Sequence, residues 1–207
     1  MATTTTNYGF DIPQSTDLVK DGATAIATLG QDIDTAMNTA LGTKKAGMVL
    51  LNTTSFSGVS SQSFNDVFNA TYERYLIIPS ILGSTTITQL LMRMRVAGSD
   101  NSSTNYREQF LTADGASVVG GRDTGRTNWE IGTVVQTIKN NIRTEIAFPF
   151  ASVNTVGMTS VTDIFTGNIR YFNAGLGLDV ATSYTGFTLI ANAGTMTGSV
   201  SIYGFNV

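Results

Sequence analysis

Apolar and polar positions along the chain fall into two regimes. Between residues 15 and 42 the apolar positions are Val19, Ile26, Leu29, Ile33, Ala36 and Ala40, spaced alternately by three and four from Ile26 onward. That spacing lines one face of a helix. It places Val19, Ile26, Ile33 and Ala40 at one heptad position and Leu29 with Ala36 at another, with Gly22 the weak member. From residue 46 the period drops to two. In Met92-Arg93-Met94-Arg95-Val96 the Met and Val residues alternate with arginines, so one face is apolar and the other charged. Ile202 and Gly204 alternate with Tyr203 and Phe205 in the same way.

The ends of the helix are marked. Ser15 or Thr16 can accept hydrogen bonds from free N–H groups of the first turn, and Asp17 and Asp21 lie at the positive end of the helix dipole. Gly42 can close the helix in the left-handed conformation, with Lys44 and Lys45 just beyond it. Such a helix is roughly 40 Å long. Branched residues at one heptad position suit parallel association of identical helices. An amphipathic helix packed on its own β domain has the same stripe; self-association is the stronger expectation.

The β part reads as short strands at Gly47–Asn52, Arg74–Pro79, Gln89–Val96, Tyr106–Leu111, Asn128–Val134, Arg143–Phe150, Asn168–Asn173, Phe187–Asn192 and Ser199–Asn206. Turn-rich stretches separate them, notably Gly98 to Asn105 and Gly120 to Gly125. Helix-length crossovers do not appear, which argues against a parallel α/β sheet. The expected fold is therefore mainly β: an antiparallel, jelly-roll-like β-sandwich head with an N-terminal α-helical coiled-coil stem. Three parts follow: an extended, Thr-rich arm over 1–14, a helical trimerisation stem over 15–45, and a head over 46–207.

Composition sharpens this picture. The 207 residues are 42% hydrophobic and 13% charged, enough for a core and too apolar for disorder. A net charge of −3, with Lys44-Lys45 the only basic doublet, argues against nucleic-acid binding, which needs clustered cations. The chain has no cysteine and no histidine, which removes disulfides, thiolate metal sites, Ser-His-Asp or Cys-His nucleophiles and most zinc sites. The N-terminus has neither the charged nor the apolar region of a signal peptide. The longest apolar run, around Tyr75 to Leu82, is broken by Pro79 and falls short of a membrane span.

Asn7-Tyr8-Gly9-Phe10-Asp11-Ile12-Pro13, leading into Ser15-Thr16-Asp17-Leu18-Val19-Lys20-Asp21-Gly22-Ala23, resembles the start of phage minor tail and fibre proteins. There a Tyr-Gly segment precedes a Thr-Asp-x-Val-x-Asp-Gly-Ala stretch and a helix. Ser55 to Val59, Phe68 to Tyr75, Arg95 to Asn101 and the ending Gly198 to Phe205 are similar to the β heads that follow such stems. The resemblance implies a homotrimeric, non-enzymatic structural protein of a bacteriophage virion, made in the host cytoplasm and assembled with other virion proteins of tail or capsid. It also implies a host-attachment role. Typical tail fibres carry a longer shaft or a docking domain, so a tail fibre, a small spike and a head-attached fibre or cement protein all fit. Asn7, Tyr8, Gly9 and Phe10 are the expected virion anchor.

Candidate chemistry is sparse. Carboxylate pairs for glycan cleavage can be drawn as Asp66 with Glu73, Glu108 with Asp114, or Glu130 with Glu145, and ordinary surface charge explains each better. Gly175-Leu176-Gly177-Leu178-Asp179 lacks the third glycine of a nucleotide-binding turn and reads as a β-turn. Asp100-Asn101 and Asp123-Thr124 match no calcium loop. No cofactor, metal or catalytic residue is expected, nor insertion into a membrane. Arg93 and Arg95 share a strand face, and Arg122 and Arg126 flank a Gly-rich loop; solvated positions are the simpler reading. Tyr106, Trp129 and Tyr171 are the candidate contacts for a host-surface glycan, and Phe172 and Tyr184 join them as candidate members of a sugar-stacking platform. Core packing is the competing role for such aromatics.

Overall fold

The structure, a computed structural model, describes residues 3–6, 8–12, 18–41, 47–85, 87–165 and 167–205. It divides into two compact units, Met1–Ala46 and Gly47–Val207.

In the first unit β1 (Thr3–Thr4) pairs antiparallel with β2 (Asp11–Ile12). The turn between them is closed by Thr5, whose N–H donates to the Phe10 carbonyl at 2.9 Å. Its hydroxyl accepts from the Phe10 N–H at 2.9 Å. Gly9 adopts φ +68°, a left-handed conformation that a β-carbon disfavours, and donates to the Thr5 carbonyl. Tyr8 and Phe10 stack with ring centroids 5.5 Å apart. This corrects the expectation of an extended arm: the Tyr-Gly-Phe segment bends the chain back on itself.

Helix α1 spans Val19–Leu41, with Asp21 in its first turn. Thr28 and Thr39 donate their hydroxyls to the Thr24 and Thr35 carbonyls one turn earlier, which satisfies hydroxyls that otherwise compete with the helix. The proposed caps Ser15, Thr16 and Gly42, with Asp17, Lys44 and Lys45, lie outside the described residues. Of the stripe, Ile26 is 66% and Ile33 40% exposed; Leu29 and Ala36 are half-buried, and Ala40 is exposed. Val19 opens the helix, but its side chain lies outside the described set. Met37, one turn beyond Ile33, extends the same face and is exposed.

The second unit is mainly β, in two antiparallel sheets. Its strands are β3 (Met48–Val59), β4 (Ser61–Phe64), β5 (Arg74–Gly83), β6 (Ile87–Val96), β7 (Ser99–Asp100), β8 (Tyr106–Asp114) and β9 (Ser117–Arg126). They continue as β10 (Trp129–Val135), β11 (Asn141–Ala147), β12 (Asn154–Phe165), β13 (Asn168–Ala181), β14 (Gly186–Ala191) and β15 (Met196–Phe205). The larger sheet runs β3-β15-β5-β11-β12-β13-β8-β9, and the smaller β10-β6-β14-β4 with β7 on β6. Every pairing is antiparallel.

Two expected turns are strands. Gly120 to Gly125 lies inside β9, and Gly175 to Asp179 inside β13. The first is explained by Phe110, directly across the ladder from Gly121. Its ring covers the glycine so closely that a β-carbon there would lie 2.3 Å from Cζ. A cross-strand aromatic thus supplies the surface that a glycine lacks.

Both sheets contribute to one core. Tyr75, Ile77, Ile146, Val161, Leu176 and Val200 enter it from the larger sheet; Leu90, Met92, Met94, Trp129, Ile131 and Phe187 enter from the smaller. Each such side chain contributes roughly 1.5–3 kcal/mol on burial. Met92 and Met94 face inward as their alternation implies, whereas Val96, where the strand ends ahead of Ala97 (φ +49°), is exposed. The partner arginines are not free in solvent. Arg93 Nε donates to the Thr127 carbonyl at 3.1 Å. Arg95 donates to Asn65 at 3.0 Å and Thr188 at 2.8 Å, and it pairs with Asp100.

Candidate functional site

The outward face of the larger sheet is a shaped surface built by alternation along its strands. On β12, Thr155, Thr159, Val161 and Asp163 turn inward, which leaves Val156, Met158, Ser160, Thr162 and Ile164 outside. Ladder register then sets the outward side chains in rows. One row reads Asn141, Thr162, Tyr171, Ala113, Val118; the next Arg143, Ser160, Asn173, Leu111, Gly120; the next Glu145, Met158, Gly175, Gln109, Arg122.

A cleft of about 290 Å³ opens among Arg143, Glu145, Met158, Ser160, Tyr171 and Asn173, near the lower end for small-molecule sites. Arg143 Nη2 donates to Glu145 Oε1 at 2.7 Å, so the two charges compensate each other at the rim. The Tyr171 hydroxyl accepts from Ser160 Oγ at 3.3 Å and from Asn173 Nδ2 at 3.1 Å. These contacts, Ser160 first, hold the Tyr171 pKa below the ordinary tyrosine value. The ring itself is 45% exposed. Two further hollows adjoin on the same sheet. One is lined by Arg74, Ala147, Val156 and Met158; the other by Arg107, Gln109, Arg122, Gly175 and Gly177.

Of the aromatics singled out from the sequence, only Tyr171 lies on this surface. Tyr106 and Trp129 are wholly buried, which corrects their assignment as glycan contacts. They meet edge to face in the core at 5.3 Å. Trp129 Nε1 donates to the Gly177 carbonyl at 3.1 Å. The Tyr106 hydroxyl accepts from the Met94 N–H and donates to the Asn101 carbonyl, so both polar tips are satisfied internally. Phe172 and Tyr184 are buried too. Tyr8, Gly9 and Phe10 form the first unit's turn; Asn7 lies outside the described residues. Arg143, Met158, Ser160 and Asn173 were not singled out from the sequence. Alternation in β11 and β13 was the signal that could have found Arg143 and Asn173; in β12 the inward positions include Thr155 and Thr159, so hydrophobicity alone does not mark Met158 and Ser160 as outward.

Carboxylates come together elsewhere, in a pairing the sequence did not suggest. Glu108 Oε1 accepts from the backbone N–H of Glu130 at 2.5 Å, and Glu130 Oε2 accepts from Gln89 at 2.6 Å. Arg126 stands 3.6 Å from Glu108 and 2.6 Å from Asp123. Burial pushes the Glu108 pKa up to about 7, against the lowering effect of the Glu130 N–H and Arg126. Glu130 is raised as well, again mainly by burial. Beside them Arg170 pairs with Asp163 at 2.5 Å, and the Thr133 hydroxyl also donates to that carboxylate. These groups hold strands together at the meeting of the two sheets.

Among the described residues no cluster of three or more metal-ligating side chains occurs, and no helix is long and apolar enough to cross a membrane. Compared with known proteins, the chain matches no family model and no curated protein.

Proposed function

We propose that the protein is a non-enzymatic structural component of a bacteriophage virion, a homotrimeric short fibre or spike that takes part in attachment to the host surface. The observation that carries this reading is the exposed apolar stripe of α1, where Ile26, Ile33 and Met37 lie uncovered along one face. Large apolar side chains left in water on a regular heptad stripe favour packing against copies of themselves. In this proposal α1 forms a coiled-coil stem, the first unit's hairpin contacts other virion proteins, and the β unit is a sandwich head with jelly-roll character. The resemblance of Asn7 to Ala23 to phage fibre openings points the same way. Glu108 is 2% exposed and so out of reach of a glycosidic bond, which supports a non-enzymatic reading.

Sedimentation equilibrium of the full chain tests the proposal directly. A trimer at micromolar concentration is expected; a stable monomer would remove the stem. A cryo-EM map of the intact particle then assigns the chain to tail or capsid. Density on the capsid alone would turn the reading to a head fibre or cement protein.

A further inference from the structure

We infer that the cleft formed by Arg143, Glu145, Met158, Ser160, Tyr171 and Asn173 is a binding site for a neutral pyranose sugar. The inference rests on the attachment reading and names the ligand class of that surface.

Sugar recognition sets a specific demand, because each ring hydroxyl both donates and accepts hydrogen bonds while one face of the ring is C–H rich and apolar. The cleft meets both halves. Arg143 offers only donors, Glu145 only acceptors, and Ser160 and Asn173 supply both kinds. Arg143 and Glu145, already 2.7 Å apart, present a donor and an acceptor side by side, as two adjacent hydroxyls require. Tyr171 supplies an aromatic face, and Met158 a polarizable wall beside it.

Preorganisation strengthens the case. Two donors hold the Tyr171 hydroxyl, so the half-exposed ring need not be ordered on binding. All six residues stand on three adjacent strands, β11, β12 and β13, and not on loops. The volume of about 290 Å³ suits one or two sugar rings.

Charge decides the subclass. The Arg143 and Glu145 side chains cancel within the cleft, which leaves no unpaired cation there to favour a carboxylate or sulfate. An acidic sugar therefore gains no net attraction from the pair to offset the water its carboxylate gives up.

Saturation-transfer NMR on the full chain provides the test, with the methyl glycosides of glucose, galactose, mannose and N-acetylglucosamine as probes and glucuronate as the acidic comparator. At least one neutral probe is expected to bind at about millimolar Kd, more tightly than glucuronate. Tyr171→Ala is expected to weaken that probe about tenfold, and Arg143→Met similarly. Tyr171→Phe keeps the ring but loses the hydroxyl that the two donors hold, so it should weaken binding by less than Tyr171→Ala; if Tyr171→Ala fails to fold, unchanged affinity in Arg143→Met alone overturns the site. Emission from the buried Trp129 reports folding in each case. Three results would overturn the site: no neutral probe binding at about 50 mM, unchanged affinity in both Tyr171→Ala and Arg143→Met, or tightest binding by glucuronate. Oligomeric state measured on the same samples separates the two proposals. Sugar binding by a monomer overturns the stem alone, and a trimer blind to every neutral probe overturns the cleft alone.

Discussion

Glu108 lies on β8 with 2% of its surface exposed, and its pKa of about 7 ties stability to pH. The folded protein holds the proton more tightly than the unfolded chain, whose value is 4.5. Its stabilising contribution is therefore complete below that value and is lost as pH rises through about 7. The displacement corresponds to about 3 kcal/mol. Glu130 acts in the same direction. We expect the urea midpoint to fall between about pH 5 and about pH 8, and Glu108→Gln to remove a large part of that fall. Equal falls in both proteins would disprove the assignment. A second residue-scale prediction concerns Gly186, where a β-carbon would lie 2.0 Å from the Phe64 carbonyl oxygen. Backbone cannot yield as a side chain can, so Gly186→Ala should cost about 2 kcal/mol in chemical denaturation. At this scale the sequence was least informative. Tyr106, Trp129 and Tyr171 are all strand aromatics, and only the register that turns Tyr171 outward separates a surface side chain from two core ones. The Glu108–Glu130 contact joins β8 to β10 in different sheets, and no local spacing encodes it.

Among the elements, α1 was the most legible, since the period of its apolar residues and Asp21 in its first turn are local properties. Strands with clean alternation, such as β6 and β15, were legible for the same reason. The misread strands lacked it. β9 carries Gly120, Gly121 and Gly125, punctuation that signals a turn until Phe110 across the ladder covers Gly121. β12 alternates threonines with apolar residues, and buried Thr155 and Thr159 occupy core-facing positions that a hydrophobicity pattern leaves blank. The prediction belonging to this scale concerns the helix. In the proposed trimer, replacing Ile26 and Ile33 together by Asp should give a monomer in sedimentation equilibrium, because three like charges would repel at each heptad layer. Trp129 emission should not change, since Gly47–Val207 is a compact unit with its own core. A double variant that stays trimeric would mean that subunits associate through surfaces other than α1.

For the whole molecule, the proposed stem and the proposed cleft together imply multivalency, and the consequence is measurable. A millimolar cleft holds a host surface poorly by itself. A trimer presents three such clefts, and once one is filled the others search at an effective concentration fixed by the tether, which raises avidity by about 10²–10⁴ where the sugars are close enough to be reached together. Free monosaccharide cannot exploit this, because each molecule fills one site. Wild type and the Ile26→Asp, Ile33→Asp double variant should therefore show the same Kd for the methyl glycoside in solution. On a surface densely coated with that sugar the wild type should bind at least about a hundredfold more tightly, and thinning the coating should erase the difference. Surface plasmon resonance at graded ligand density reads both regimes. If the monomeric variant matches the wild type on the dense surface, one cleft engages at a time. The proposed stem would then serve assembly rather than adhesion.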